Sequence, residues 1–384
     1  MNIDDFSIEQ RENIVKTLDG AFAFVPPALP PEIELNAIAM ALSSASHAIG
    51  ELNGAARRLQ NPFMLVHPLT RKEALTSSAM EGTITTIGNI VLEEADASSG
   101  EDDNAREAFN YAFALRKANE QLITLPMSHR VIKEAHRNLL SGLSTKRGAG
   151  KRPGEYKMHQ NAIGQLGQSI QSARYVPPPP QQTLDCMDRL EQFLNIENLR
   201  HGEKILHLAL LHYQFEAIHP FDDGNGRIGR MLVTLMAQQM KLVDLPLLHI
   251  SSFLEKRKDE YIERLFEVSA RANWNDWINF FLLTIEQSCN QATKMVDRLI
   301  TLQSEMKLQV LKTKNNHRLT TIIDNLFQSG WTTIGKNQTL CSVSFPTAQS
   351  DLKTLVELGL LTEVLDRRPI IFYAPKIIEL SERE

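Results

Sequence analysis

Residues 203–218 constrain this chain most, because Ile205, Leu206, Leu208, Leu210, Leu211, Phe215 and Ile218 leave a helix apolar on nearly every face. Such a helix is stable only when its neighbours cover all of it, which predicts a largely helical core with this segment at its centre. Its last turn delivers the chain to His219-Pro-Phe-Asp-Asp-Gly-Asn-Gly-Arg-Ile-Gly-Arg230. Within these residues lie a histidine, an acidic pair, two glycines flanking an asparagine, and two arginines.

Gly224-Asn225-Gly226 predicts a turn whose φ > 0 conformations aim successive backbone amides at one point. Ile228, Met231, Leu232 and Leu235 follow at helical spacing, so a helix starts at about Gly226. A glycine-rich turn feeding a helix N-terminus offers free N–H groups and a positive dipole end to an anion. Arg227 and Arg230 lie three apart on one side of that helix and add two guanidinium forks suited to phosphate oxygens. Asp223 is a hard oxygen ligand of the kind Mg²⁺ on a nucleotide requires, and His219 can take a proton near neutral pH. Taken alone, the same residues also fit a capped helix with a solvated charge cluster.

The string matches His-x-Phe-x-(Asp/Glu)-Gly-Asn-Gly-Arg-x-x-Arg at every specified position, and so resembles the signature of the Fic family. The resemblance implies a mainly α fold, a Fic-type helical core with a β-hairpin flap and an N-terminal helical extension, and the order of helices followed by two β-rich runs in residues 316–384 separately resembles a C-terminal winged helix-turn-helix domain. The Fic resemblance implies AMP transfer from Mg·ATP to a Ser, Thr or Tyr hydroxyl of a protein target, with pyrophosphate leaving. His219 is then the general base, Asp223 holds Mg²⁺, and Gly224, Asn225, Gly226, Arg227 and Arg230 grip the phosphates, with Phe221 anchoring the loop. Ser77-Ser78-Ala79-Met80-Glu81-Gly82 looks like the family's inhibitory motif, (Ser/Thr)-x-x-x-Glu-(Gly/Asn), with Ser77 and Glu81 in its defined positions. Without the resemblance it is an ordinary helix end; with it, Glu81 competes for Arg230 and autoinhibits transfer. Tyr261 resembles the family's tyrosine beside the base pocket, though half-buried packing explains it equally well. A hairpin expected over residues 160–180 corresponds to the flap, whose edge pairs with the target's backbone. Two rivals stand beside AMP transfer: hydrolytic removal of AMP at the same site, with Glu81 orienting water, and a winged-helix transcription regulator with a nucleotide-sensing core.

At 384 residues the chain has room for two or three domains, and a net charge of −5 gives no electrostatic footprint for nucleic acid or anionic membrane. Cys186, Cys289 and Cys341 are far apart and outside any Cys-x-x-Cys spacing, a reducing-compartment pattern. Asp4 and Asp5 stand where a signal peptide is basic, and no apolar run is long enough to span a bilayer, which together predict a soluble cytoplasmic protein. His201, His207 and His212 lack zinc spacing and are expected to be packed or solvated.

The expected organisation is an N-terminal helical extension (1–104), the catalytic core (105–286), a helical connector (287–315) and a winged-helix domain (316–384). Finer expectations are an extended arm ending in the proline-rich residues 26–31 and helices over 32–59 and 71–80, the second capped by residues 68–70. A solvated acidic linker over 93–103, helices over 105–120, 128–140 and 254–268, and a basic loop over 146–154 complete the pattern. The connector is expected to run away from the core. Residues 316–384 carry seven Lys/Arg against eight Asp/Glu, with Lys353 alone on the would-be recognition helix. That balance disfavours DNA binding and favours a packing or homodimerisation role.

Overall fold

The computed structural model describes the chain except residues 60, 62, 96–101, 145–149, 165–168, 315–316, 365–368 and 383–384. The N-terminal arm is not simply extended. After α1 (Ile8–Arg11), β1 (Ile14–Lys16) pairs antiparallel with β2 (Phe22–Phe24), Val15 opposite Ala23. Apolar burial overrides the expected arm: Phe6 packs between Phe24 and Phe266, and the Phe24 N–H donates to the Val176 carbonyl at 2.9 Å.

Helix α2 (Leu35–Arg57) is followed by α3 (Phe63–Met80), which begins earlier than expected and carries Pro68 inside it. That proline is buried and is the sixth residue of the helix, past the first turn, so it interrupts one backbone hydrogen bond inside α3 and does not cap it. At the other end of α3, Gly82 adopts φ +88° and stops the helix one residue after Glu81. Next come α4 (Ile87–Ala95) and α5 (Asp103–Leu122). Glu93 and Glu94 therefore belong to a helix rather than a solvated linker: Glu93 pairs with Arg106, and Glu94 with Arg71 at 2.5 Å. Both partners are distant in sequence, so the charge run looked unpaired; the rest of that acidic run lies largely outside the described residues.

After α6 (His129–Leu139), the described residues of 160–180 show less β structure than a hairpin, and residues 165–168 of that expected hairpin lie outside the described residues. A single antiparallel bridge joins Ile163 to Tyr175, and a 3₁₀ turn spans Ile170–Ser172, with no strand among the described residues. Glycines and polar side chains give this stretch little to hold a ladder. Helices α7 (Pro180–Leu194), α8 (His201–Ile218) and α9 (Asn225–Gln239) then build the centre. Every residue of α8 from Ile205 to Ile218 is buried, as its all-round apolar surface requires.

The helix expected over 254–268 is two, α10 (Ser251–Lys256) and α11 (Lys258–Arg271), broken at Arg257 with φ −123° and ψ 35°. The expected connector is the second half of α12 (Trp274–Lys314), which at 1.5 Å per residue runs roughly 60 Å. It does not leave the core: α12 lies along α2, and Met295, Leu299, Leu302 and Met306 are buried in the main cluster. Trp277 fixes α12 across the centre by donating its indole N–H to the Ala209 carbonyl of α8 at 2.9 Å.

The tail consists of α13 (His317–Ser329), β3 (Trp331–Thr333), α14 (Ile334–Cys341), α15 (Phe345–Glu357), β4 (Thr362–Val364), β5 (Ile371–Tyr373) and α16 (Pro375–Glu382). Its antiparallel sheet has the order β3-β5-β4. Elements β3, α14 and α16 each have eight residues or fewer. Among the described residues no helix is long and apolar enough to cross a membrane.

Candidate active site

Helix α8 ends where His219 turns left-handed, φ 48° and ψ 60°, immediately before Pro220. Beyond it the loop is held by its own side chains. Asn225 accepts from the Phe221 N–H and donates to the Phe221 carbonyl, both at 2.8 Å. Phe221 is fully buried and stacks on His136 at 3.8 Å, anchoring the loop as expected. His136 accepts from the Gly154 N–H at 2.8 Å through Nδ1, so its Nε2 carries the proton it donates to the Asp223 carbonyl at 2.9 Å. Asn225 is thus a loop staple, its amide occupied at both ends.

Gly224, left-handed at φ +79°, opens α9. Gly226 is required for close approach: a Cβ there would lie 2.5 Å from Glu81 Oε1 and 2.9 Å from Arg230 Nη1. The two arginines have different surroundings. Arg227 is buried against Glu107 of α5 and lies 3.3 Å from Asp223 Oδ1, so its charge is committed to carboxylates. Arg230, on the cavity side and 2% exposed, donates from Nε to Ser77 Oγ at 2.9 Å, and from Nη2 to the Ser77 carbonyl at 2.9 Å and to Glu81 Oε1 at 2.8 Å. Ser77 and Glu81, 153 and 149 residues away in sequence, therefore close on one guanidinium. Burial pushes the Glu81 carboxyl up, but Arg230, with Arg227 and Lys258 behind it, brings it below the ordinary carboxylate range.

Of these groups Glu81, Gly226, Arg230 and Lys258 line a cavity of about 570 Å³ together with Tyr261, Glu216, His219 and Ile163, whereas Ser77, Asp223, Gly224, Asn225 and Arg227 stand behind its wall. Its size suits a nucleotide. Tyr261 is buried and its hydroxyl meets His212 Nε2 at 2.9 Å, so α11 closes one wall. The His219 ring is held neutral, its pKa lowered to about 4 by burial first and then by the Lys157 charge. Its Nδ1 has no well-aligned hydrogen bond, although the Glu216 carbonyl lies close enough to act on the ring. Asp223 Oδ1 accepts the Gly224 N–H at 2.6 Å, and its side chain is 38% exposed at the loop's mouth. No group of three metal-binding side chains exists among the described residues. One exposed carboxylate fits a Mg²⁺ that takes its remaining ligands from phosphates and water.

Glu216, the one acidic residue between Ile205 and Ile218, went unread in the sequence although its place in an apolar run is a visible signal. Gly229 leaves room for it: a Cβ there would fall 2.2 Å from Glu216 Oε1, an oxygen with no hydrogen-bond partner. Burial raises this carboxyl to about 7, partly offset by Arg230. A carboxyl raised in the folded state stabilises it fully below the unfolded value of 4.5 and loses that contribution as pH rises through about 7. Glu216→Gln should therefore gain on the native chain by up to ~3 kcal/mol between about pH 5 and about pH 8. Parallel denaturant titrations across that range check this, and a pH-independent difference contradicts it.

Comparison with known proteins gives the chain its family. The sequence model described as Fic/DOC family N-terminal fits residues 39–120, and the Fic/DOC family model fits residues 126–237. The chain belongs to the Fic family. It is 30% identical over 196 residues to the protein adenylyltransferase Fic of Drosophila yakuba, covering 50% of this chain and 36% of that protein. The Drosophila grimshawi counterpart is 30% identical over 240 residues, covering 61% and 43%. The chain thus spans well under half the length of these curated relatives. In fold it is similar to a Fic family protein from Desulfovibrio desulfuricans G20, with TM-score 0.58 and 20% identity over 90% of this chain and 98% of the other. A Fic domain containing signaling protein from Bacteroides thetaiotaomicron VPI-5482 gives 0.50 and 22% over 65% and 97%. The match to the Fic/DOC family model, residues 126–237, includes the stretch that joins α8 to α9.

Proposed function

We propose that this Fic protein transfers AMP from ATP to a hydroxyl side chain of a protein target, and that Glu81 holds it autoinhibited. The observation that carries this is the convergence of a neutral histidine, a helix N-terminus and a latched arginine on one nucleotide-sized cavity. The target hydroxyl oxygen bonds to the α-phosphorus, the bond to the pyrophosphate oxygen breaks, and the hydroxyl proton passes to the His219 ring. Polyphosphate beside that ring raises its basicity, which suits the task. The amides opening α9 and the Arg230 guanidinium stabilise the charge on the phosphates. Asp223 would hold Mg²⁺, whose chemistry is to neutralise the departing pyrophosphate.

Arg227, paired with Glu107, acts by holding Asp223 and the loop. Tyr261 forms a wall for the base. The segment bridged at Ile163 and Tyr175 presents the target as a flap. Residues 316–384, whose described elements are a helix, a strand, two helices, two strands and a closing helix, act as a winged-helix unit used for packing or homodimerisation. Absence of salt-sensitive DNA binding by the full chain supports that role, and such binding overturns it.

Two measurements test the assignment. With labelled ATP, protein labelling and AMP release are followed together. Labelling that His219→Ala abolishes supports transfer, whereas AMP release from labelled protein without any transfer supports hydrolysis instead. Asp223→Ala should remove most of the Mg²⁺-dependent activity while Asp222→Ala does far less; the reverse order places the metal on the other carboxylate.

A further inference from the structure

Residues Lys157 and Asn161 grip the carbonyl end of α8 from outside the cavity. The Lys157 backbone N–H donates to the Pro220 carbonyl at 2.8 Å, and its Nζ to the Ile218 and His219 carbonyls at 3.3 and 3.1 Å. Asn161 Nδ2 donates to the His219 and Phe221 carbonyls, both at 3.1 Å, and its Oδ1 accepts from Lys157 Nζ at 2.8 Å. Every carbonyl from Ile218 to Phe221 is thus bonded by one short segment. Lys157 is 3% exposed and has no ion pair among the described residues. Buried lysines are ordinarily paired with a carboxylate. Here the counter-charge is the negative end of the α8 dipole and the carbonyls themselves.

We propose that Lys157 and Asn161 are positioning residues for His219: they hold its backbone in the left-handed turn that faces the ring into the cavity, and they set a buried cation behind it. This rests on the reading of His219 as general base. The charged and titratable groups around the ring are Glu216 and Tyr213 on α8, Glu81 at the end of α3, Arg230 on α9, Lys258 and Tyr261 on α11, Arg174 and Tyr175 of the bridged segment, and Lys157. Those around the ammonium are Asp222 of the loop and the Cys186 thiol of α7. Lys157 lowers the basicity of His219 where Glu81 raises it, so the ammonium opposes the brake's carboxylate at the catalytic ring. Burial brings Lys157 to about 7, so below neutral pH, where His219 titrates, the ammonium is charged and its field present. Removing that charge must shift His219 protonation toward higher pH.

The test uses the full chain in the Glu81→Gly background, with labelled histidine followed by NMR and the His219 signal assigned by its loss in His219→Ala. In Lys157→Met the His219 titration should move up by about one pH unit. The acid limb of the rate profile should move with it, and kcat should fall while KM for ATP holds, because Lys157 does not line the cavity. Lys157→Arg should keep the native titration. Asn161→Asp, which sets a carboxylate beside the retained ammonium, should also raise the His219 value, and it serves if Lys157→Met does not fold. An unmoved His219 titration in the folded variants overturns the proposal. The titration is read without turnover, so it is separable from the base assignment, which fails only if His219→Ala retains transfer.

Discussion

Replacing His219 by alanine should lower AMP transfer by ~10² to 10⁴, the range for loss of a positioned general base, with nucleotide binding largely kept. The ring lines the cavity but holds none of the loop together; that work falls to Asn225, Phe221 and His136. Truncation therefore removes the proton acceptor and leaves the anion-binding turn in place. Single-turnover rates beside equilibrium ATP binding check this. A large loss of binding with an unchanged chemical rate would assign His219 to substrate capture.

Glu81→Gly should raise AMP transfer at least tenfold, and Arg230→Ala should abolish that gain. Glu81 and Ser77 take the Nε and Nη2 donors of Arg230, the guanidinium that the proposal gives to the γ-phosphate. A hydrogen bond between charged partners contributes about 1.5–3 kcal/mol, and the 39% exposure of Glu81 places this pair toward the low end. About 1.4 kcal/mol already amounts to a factor of ten. Ser77 remains bonded to Arg230 in the variant and so keeps the arginine in place while its outward donor is freed. ATP need not bind more tightly, because a bound but misaligned γ-phosphate is equally inert. Unchanged transfer together with loss of an AMP-releasing activity would make Glu81 the hydrolytic residue.

The site was legible where chemistry is contiguous and opaque where it is assembled across the chain. The start of α9 to within a residue and the burial of α8 follow from spacing, and the pairing of Glu81 with Arg230 followed from motif resemblance; of the turn expected over 224–226 only Gly224 is left-handed, Asn225 and Gly226 already being helical. Glu107 behind Arg227, His136 beneath Phe221, and Lys157 on the α8 carbonyls carry no local signal, because each meets its partner 61 to 120 residues away. For the same reason Glu93 and Glu94 read as a solvated run until Arg106 and Arg71 were folded onto them. The extent of α12 escaped because its buried positions face α2, which lies more than 200 residues earlier. Short elements such as β3 and α14 lack the length for periodicity to show.

The most direct test of AMP transfer is to incubate the Glu81→Gly protein and candidate targets with Mg²⁺ and ATP labelled either at the α- or the γ-phosphate. The account predicts α-label on a protein hydroxyl, no γ-label on protein, and pyrophosphate in solution. γ-label on protein, or no protein label with either nucleotide while bound AMP is released, would contradict it.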